Sequence, residues 1–317
     1  MPHLPTLKQL RYFVALVEEG HFGRAAAACH VSQSAFSVAI RELETLLDVQ
    51  LVDRTRKKVT VTATGQELVA QARLVLRDAE ALVAAARPQA GPLAGRLNLG
   101  VIPTVAPFLL PAFLPPLHRA YPRLELYLRE EQTARLLQAL LAGELDVVLM
   151  ALPYDVPHAE VLTLFRDPFR LACREGTARV DPENYRFTRL QRDSVLLLED
   201  GHCLRDHALA ACRIRQTEKV SRFAASSLLT LVQMVETDLG ITYLPAMAEG
   251  STLLRDTHVR TYPLDAGAYR DIGLVWRQGS ARGEEFRLLG EQISAHRPGL
   301  AAAAPAPVKR ATRGRSA

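Results

Sequence analysis

Residues 199–213 read EDGHCLRDHALAACR and place Cys203 and Cys212 nine residues apart, with His202, Arg205 and His207 around the first. A thiol among cations is a candidate nucleophile, because the thiolate is the reactive form and nearby positive charge favours it. A helix beginning just after Gly201 would add its positive end to the same effect. Met by an oxidant, such a sulfur becomes a sulfenic acid. Two other readings stand beside this one. The set His202, Cys203, His207 and Cys212 is chemically able to bind zinc, although its spacing fits no common template. Equally, both cysteines are the kind of small residue that fills cores inertly. Leu209, Ala210 and Ala211 predict that Cys212 is buried while reduced, and Cys29 and Cys173 read as ordinary core residues.

The chain that must position these groups has 317 residues, of which 48% are hydrophobic and 23% charged, a globular balance suited to two or three domains. The start, MPHLPTLKQLRYF, has no continuous apolar region of signal-peptide type, and no run reaches the ~18 apolar residues of a membrane span. The expectation is a cytoplasmic protein with reduced thiols and no membrane partner. The net charge of +5 owes much to the tail 298–317, where Lys309, Arg310, Arg313 and Arg315 stand without an acid. That Ala/Pro/Arg-rich tail reads as disordered and basic. No phosphate-binding glycine loop, HExxH zinc site or GxSxG elbow is present, so neither a cofactor, a metal nor an enzymatic activity is expected.

Leu7, Leu10, Phe13, Val14 and Val17 recur at helical spacing. A short Ala-rich helix over about 22–29, a turn at His30-Val31 and a second helix capped by Ser32 follow. Phe36, Ile40, Leu43 and Leu47 form the inner face of that second helix; Gln33, Ser34, Ser37 and Arg41 form the outer one. This is the helix-turn-helix arrangement, whose second helix enters the major groove of double-stranded DNA. Arg54, Arg56, Lys57 and Lys58 lead into an alternating strand, Val59–Thr62, as a wing that meets phosphates. From Thr64 to Arg87 a long helix carries Leu68, Ala72, Val75, Ala79, Leu82 and Ala86 at the spacing of a coiled-coil seam, which predicts a dimer on a two-fold operator.

The segment Leu7–Gly65, with its pattern VSQSxxSxxIxxLExxLxxxLxxRxxxxxxxTxxG, resembles the winged helix-turn-helix of the LysR-type transcriptional regulators. It departs in having Leu51-Val52-Asp53 where that family often has a Phe before the wing arginine. The expected DNA-binding set is Ser32, Gln33, Ser34, Ser37, Arg41, Arg54 and Arg56, with base contacts from Gln33, Ser34, Ser37 and Arg41 and phosphate contacts from Arg54 and Arg56.

Gly91-Pro-Leu-Ala-Gly95 reads as a hinge. Beyond it, strands at Arg96–Val101, Leu124–Leu128 and Leu145–Met150 alternate with helices at Val105–Ala120 and Ala134–Gly143. This predicts a parallel sheet with ligands at the strand ends, where Thr104 and Thr133 sit. A second unit has strands at Pro168–Cys173, Val195–Leu198 and Gly240–Leu244 and a helix at Leu228–Val235; Arg270–Arg277 is a late returning strand. The stretch 174–193 is polar and irregular and carries no assigned role. Two such lobes resemble the type 2 periplasmic-binding-protein fold. The expected class is therefore α+β overall: a winged helix-turn-helix over 1–63, a linker and dimerisation helix over 64–91, and an α/β effector domain over 92–297. Its subdomains cover about 92–166 with 269–297, and about 167–268.

The stretch LLLEDGHCLRDHALAAC (196–212) is similar to the OxyR peroxide sensors, as are IPTVAPFLLPAFLPPLH (102–118), SSLLTLVQMVETDLGITYLP (226–245) and IGLVWRQGS (272–280). That resemblance implies that Cys203 is the peroxide-reactive cysteine and Cys212 its disulfide partner, with Thr104, Thr133, His202, Arg205, Asp206 and Arg270 lining a hydrogen peroxide pocket. It also implies a homotetramer working with RNA polymerase. Helix geometry fits a switch. Nine residues at about 1.5 Å each separate the two α-carbons by about 13 Å on opposite sides of a helix. A disulfide needs roughly 4.4–6.8 Å. Closing the bond must therefore unravel Leu204–Ala211. The rival functions are a thiol peroxidase, for which a recognition helix has no use, and a LysR-type regulator of a small organic effector with incidental cysteines.

Overall fold

Thr6 opens the first helix by a reciprocal cap: its hydroxyl accepts from the Gln9 N–H at 3.2 Å while the Gln9 side chain accepts from the Thr6 N–H at 3.0 Å. In this computed structural model, which describes residues 4–54, 59–85, 91–212, 217–264 and 267–297, that helix is α1 (Leu7–Glu19). It is followed by α2 (Phe22–Ala28) and α3 (Gln33–Leu47), with Ser32 as the α3 cap, its Oγ accepting from the Ala35 N–H at 3.3 Å. Phe36, Ile40 and Leu43 of α3 are fully buried against Phe13 and Leu16 of α1; each such side chain contributes about 1.5–3 kcal/mol. The wing is a two-stranded ribbon of β1 (Val52–Arg54) and β2 (Val59–Val61), paired antiparallel. Glu44 of α3 holds its base, accepting from the N–H groups of Leu51 (3.0 Å) and Val52 (3.3 Å). Gly65 passes so close to the Leu51 carbonyl that no side chain fits there.

The long helix α4 (Ala63–Ala85) only partly follows the expected seam. Val69 and Ala72 are buried in the head's own core, with Leu68 and Leu76 packed beside them, whereas Val75, Leu82 and Val83 are exposed. The first turns thus serve α1 and the later ones are left open. Further along, Arg77 of α4 reaches the body: its Nη1 donates to the Leu145 carbonyl (2.8 Å) and to Asp146 Oδ1 (2.9 Å). Arg73 pairs with Glu144 at 3.3 Å and with Glu18 of α1 at 3.3 Å. Arg56, the Arg54 side chain, Ala86 and the tail 298–317 lie outside the described residues.

The body contains β3 (Gly95–Val101), α5 (Ala106–Ala120), β4 (Leu124–Glu130), α6 (Thr133–Leu141), β5 (Val147–Leu152), β6 (Ala159–Arg174), β7 (Val195–Leu198) and α7 (Cys203–Ala211). It continues with β8 (Val220–Ala225), α8 (Leu228–Glu236), β9 (Thr242–Pro245), β10 (Val259–Pro263), β11 (Tyr269–Arg277) and α9 (Gly283–Ala295). The main sheet runs β10-β6-β11-β5-β3-β4, with β9 also on β6; β7 and β8 form a separate parallel pair. The expectation of a parallel sheet holds only for β3 with β4 and β5 and for β7 with β8. The late strand β11 inserts antiparallel between β5 and β6, so the sheet is mixed. The short strand expected at Pro168–Cys173 is the second half of β6, which spans 16 residues. The first half of β6 pairs with β11 and its second half with β9 and β10, so this one strand crosses from one lobe to the other. Among the described residues no helix is long and apolar enough to cross a membrane.

Candidate functional site

Cys203 is the first residue of α7 and is buried. The loop before it is shaped by Gly201 at φ 97°, where a Cβ would fall 2.9 Å from Gln132 Oε1; glycine lets this loop lie against the residue that precedes α6. Three segments converge on the thiol: the end of β5 through the Ala151 N–H, the start of α6 through the Thr133 hydroxyl, and β11 through Arg270. Burial pushes the Cys203 thiol up from its ordinary pKa. Thr133, Arg270 and the Ala151 N–H pull it back, and Asp206 adds to the rise. The helix start and nearby cations therefore do not leave a free thiolate at rest; removal from water outweighs them. The Thr133 hydroxyl faces this sulfur without a hydrogen bond of proper geometry, and its Oγ1 is buried with no partner.

Arg270 is fully buried and employs every arm. Nε donates to Asp167 Oδ2 at 3.0 Å, Nη1 to Thr104 Oγ1 at 2.9 Å, and Nη2 to the Thr104 carbonyl at 2.9 Å. Nη2 also lies 2.9 Å from Asp167 Oδ2. Burial pushes the Asp167 carboxyl up, against the pull of Arg270 and of the Met247 N–H, which donates to Oδ1 at 3.1 Å. Since the Thr104 oxygen accepts from Arg270, its own proton remains to be offered elsewhere.

Of the expected pocket residues, Thr104, Thr133 and Arg270 converge with Cys203, and His202 is buried as the α7 N-cap residue. Arg205 turns elsewhere: Nε lies 3.0 Å from Asp200 Oδ1 and Nη1 donates to the Leu198 carbonyl at 3.2 Å. The Asp200 carboxylate and the Leu198 carbonyl at the end of β7 capture it. Asp206 is exposed on the first turn of α7. Two groups beyond the expected pocket belong to this site. Asp167 was signalled by a charge inside the apolar run LFRDPF. His207 was signalled by standing one helical turn after Cys203; its Nε2 lies 3.0 Å from the Pro153 carbonyl and its Nδ1 is buried without a partner.

Cys212 ends α7, its N–H donating to the Ala208 carbonyl at 3.0 Å. Burial pushes its thiol up to about 12. Beside it stand Tyr185 and Tyr243, whose hydroxyls hydrogen-bond each other. Tyr185 comes from the polar stretch that the sequence left without a role. All four cysteines are free thiols, and α7 is an unbroken helix between the two of interest, which at about 1.5 Å per residue holds them about 13 Å apart. Among the described residues no group of three or more His, Cys, Asp or Glu could hold a metal ion.

On the head, Ser32, Gln33, Ser34 and Arg41 are exposed along the first turns of α3 and Ser37 is half-buried between them. The Ser32 and Ser34 hydroxyls lie 3.1 Å apart, and Arg41 Nε donates to the Ser37 carbonyl at 3.4 Å.

Residues 7–66 match the bacterial regulatory helix-turn-helix of the lysR family, and residues 90–298 match the LysR substrate binding domain. The chain belongs to the LysR family of bacterial transcriptional regulators. Within that family it is of the OxyR type. It is 42% identical over 293 residues to the DNA-binding transcriptional dual regulator OxyR of Escherichia coli K12, covering 92% of this chain and 96% of that one. A cysteine variant of full-length OxyR from Pseudomonas aeruginosa superimposes with a TM-score of 0.75 at 34% identity, over 92% of this chain and 98% of the other. A cysteine variant of Corynebacterium glutamicum OxyR with bound hydrogen peroxide gives a TM-score of 0.62 at 36% identity, over 93% and 94%.

Proposed function

We propose that this regulator senses hydrogen peroxide at Cys203 and controls oxidative-stress genes through a disulfide with Cys212. The observation that carries the reading is a buried thiol facing an unpartnered threonine hydroxyl beside a fixed guanidinium. Such a site offers hydrogen bonds to a molecule of a few atoms and electrostatic help to a departing hydroxide. Several relatives are named hydrogen peroxide-inducible genes activators, among them one from Dickeya chrysanthemi that is 40% identical. In the reaction the sulfur bonds to one peroxide oxygen, the O–O bond breaks, and the other oxygen leaves as water. The sulfenic acid then condenses with the Cys212 thiol, releasing a second water.

An intact α7 holds the two sulfurs too far apart to bond, so the second step unwinds the helix. The segment around 200–222 takes a new course, and the effector bodies turn against one another. Dimers form through α4, where Val75, Leu82 and Val83 are exposed, and bodies pair into a homotetramer. The turn alters which half-sites the heads reach and how RNA polymerase is engaged. Gln33, Ser34, Ser37 and Arg41, with Ser32 at the helix start, read bases; Arg54 and Arg56 grip phosphates. Operator binding and transcription with Cys203→Ser, before and after peroxide, test the reading. The expected result is complete loss of the response; a response kept in full, or one to a small organic effector that ignores both thiols, replaces it.

A further inference from the structure

We propose that His207 accepts the proton of the Cys203 thiol during the attack on peroxide and returns it to the departing oxygen. The assignment rests on the peroxide-sensing reading and supplies the base which that reading needs.

The two side chains stand one turn apart on α7, with no hydrogen bond between them in the resting structure. In an α-helix, residues four apart lie on the same face, and the later side chain leans back over the earlier turn. His207 stands four residues after Cys203 in α7. Both meet the same strand end, since the Ala151 N–H points to the Cys203 sulfur and the Pro153 carbonyl lies 3.0 Å from His207 Nε2. Both also feel the same two charges, Arg270 and Asp206.

The hydrogen bond to Pro153 fixes the tautomer. A carbonyl oxygen only accepts, so Nε2 carries the proton and donates it. In the neutral ring Nδ1 is then a bare acceptor, and this Nδ1 is buried with no partner. Burial keeps the ring neutral, and Arg270 of β11 acts in the same direction, while Asp206 of α7 and the Pro153 carbonyl oppose it. Of the strands beside α7, β5 and β7 carry no ionisable side chain; on β11 Asp271 is turned to Arg166 at 3.7 Å, the Tyr269 ring lies against Arg166, and Arg277 donates to the Leu145 carbonyl at 2.8 Å. Asp167 is committed to Arg270.

The chemistry calls for such an acceptor because the resting sulfur is a buried thiol. As the sulfur's electron pair bonds to one peroxide oxygen, the thiol proton passes to Nδ1. The O–O bond breaks and the second oxygen leaves with that bond's electrons as hydroxide. It then takes the proton from the imidazolium. Thiol and hydrogen peroxide become sulfenic acid and water, and His207 ends as it began.

The test uses the full-length reduced chain, with loss of the Cys203 thiol followed by rapid mixing with hydrogen peroxide between about pH 5 and about pH 9. The wild-type rate constant is expected to be level through neutral pH and to fall on the acid side, as His207 takes a proton and loses its vacant nitrogen. His207→Gln is expected to react about 10²-fold more slowly at neutral pH, with a rate rising in proportion to hydroxide concentration. Equal rates and profiles for His207→Gln and the wild type overturn the proposal. So does a loss that follows His202→Gln instead, which moves the proton to that ring. Should His207→Gln fail to fold, the wild-type profile decides alone, and one without an acid-side fall overturns the assignment. A wild-type chain whose Cys203 ignores peroxide defeats the sensing reading itself, a result separate from a reactive chain indifferent to His207.

Discussion

The two thiols of α7 occupy opposite kinds of surroundings. Around Cys203 the polar atoms are held in place yet left wanting: Thr133 Oγ1 and His207 Nδ1 are both buried and unpartnered. Around Cys212 the nearby polar groups satisfy one another, the Tyr185 and Tyr243 hydroxyls being bonded together. An unmade buried hydrogen bond costs about 1–3 kcal/mol, and a small polar guest beside Cys203 would recover that cost. On the function proposed above, the difference teaches that one end of the helix receives a small polar molecule while the other stays shut until the helix itself gives way.

Each side of this contrast can be broken separately. The largest effect is expected from Asp167→Ala, which strands the Arg270 guanidinium in the interior. Chemical denaturation should show a loss of about 3–5 kcal/mol, and a smaller loss would mean that Thr104 alone satisfies the cation. Next comes Thr133→Val, which removes an unpartnered hydroxyl without changing the side chain's shape. Its melting temperature should stay level or rise, while oxidation of Cys203 slows by about 10²-fold; unchanged kinetics would reduce this hydroxyl to a packing group. The smallest effect is expected on the closed side. Tyr185→Phe leaves the buried Tyr243 hydroxyl alone and should lower stability by about 1–3 kcal/mol, read from the urea midpoint. The rate of the first oxidation at Cys203 should not change, and if it does, the two ends of α7 are not independent.

Much of the head was legible in the sequence, because helical spacing and a polar cap are local properties. Phe36, Ile40 and Leu43 are buried and Ser32 is the cap, as their pattern predicts. The seam of α4 was less so: a stripe of Leu68, Ala72, Val75 and Leu82 reads the same whether it faces its own domain or a second chain. In the body, Arg270–Arg277 read as a late returning strand, but its antiparallel insertion between β5 and β6 was not legible, since hydrophobicity carries no direction. The partnership of Asp167 with Arg270 spans 103 residues of sequence, beyond the reach of any local spacing. Arg205 was misplaced for a related reason: proximity in sequence to Cys203 does not tell a long side chain which carboxylate it will find. Tyr185 sat in a stretch without periodicity, so nothing local announced its place beside Cys212.

The grip of α4 on the body has a mechanical meaning. Arg77 holds the Leu145 carbonyl and Asp146, and Asp146 in turn accepts from the Asn98 N–H at 2.7 Å and from its side chain at 3.0 Å. The helix is thereby bolted to the central strand of the first lobe by partly buried, charge-assisted bonds. A torque applied to that lobe is delivered along a stiff rod whose far end is the reading head, instead of being absorbed in a slack joint.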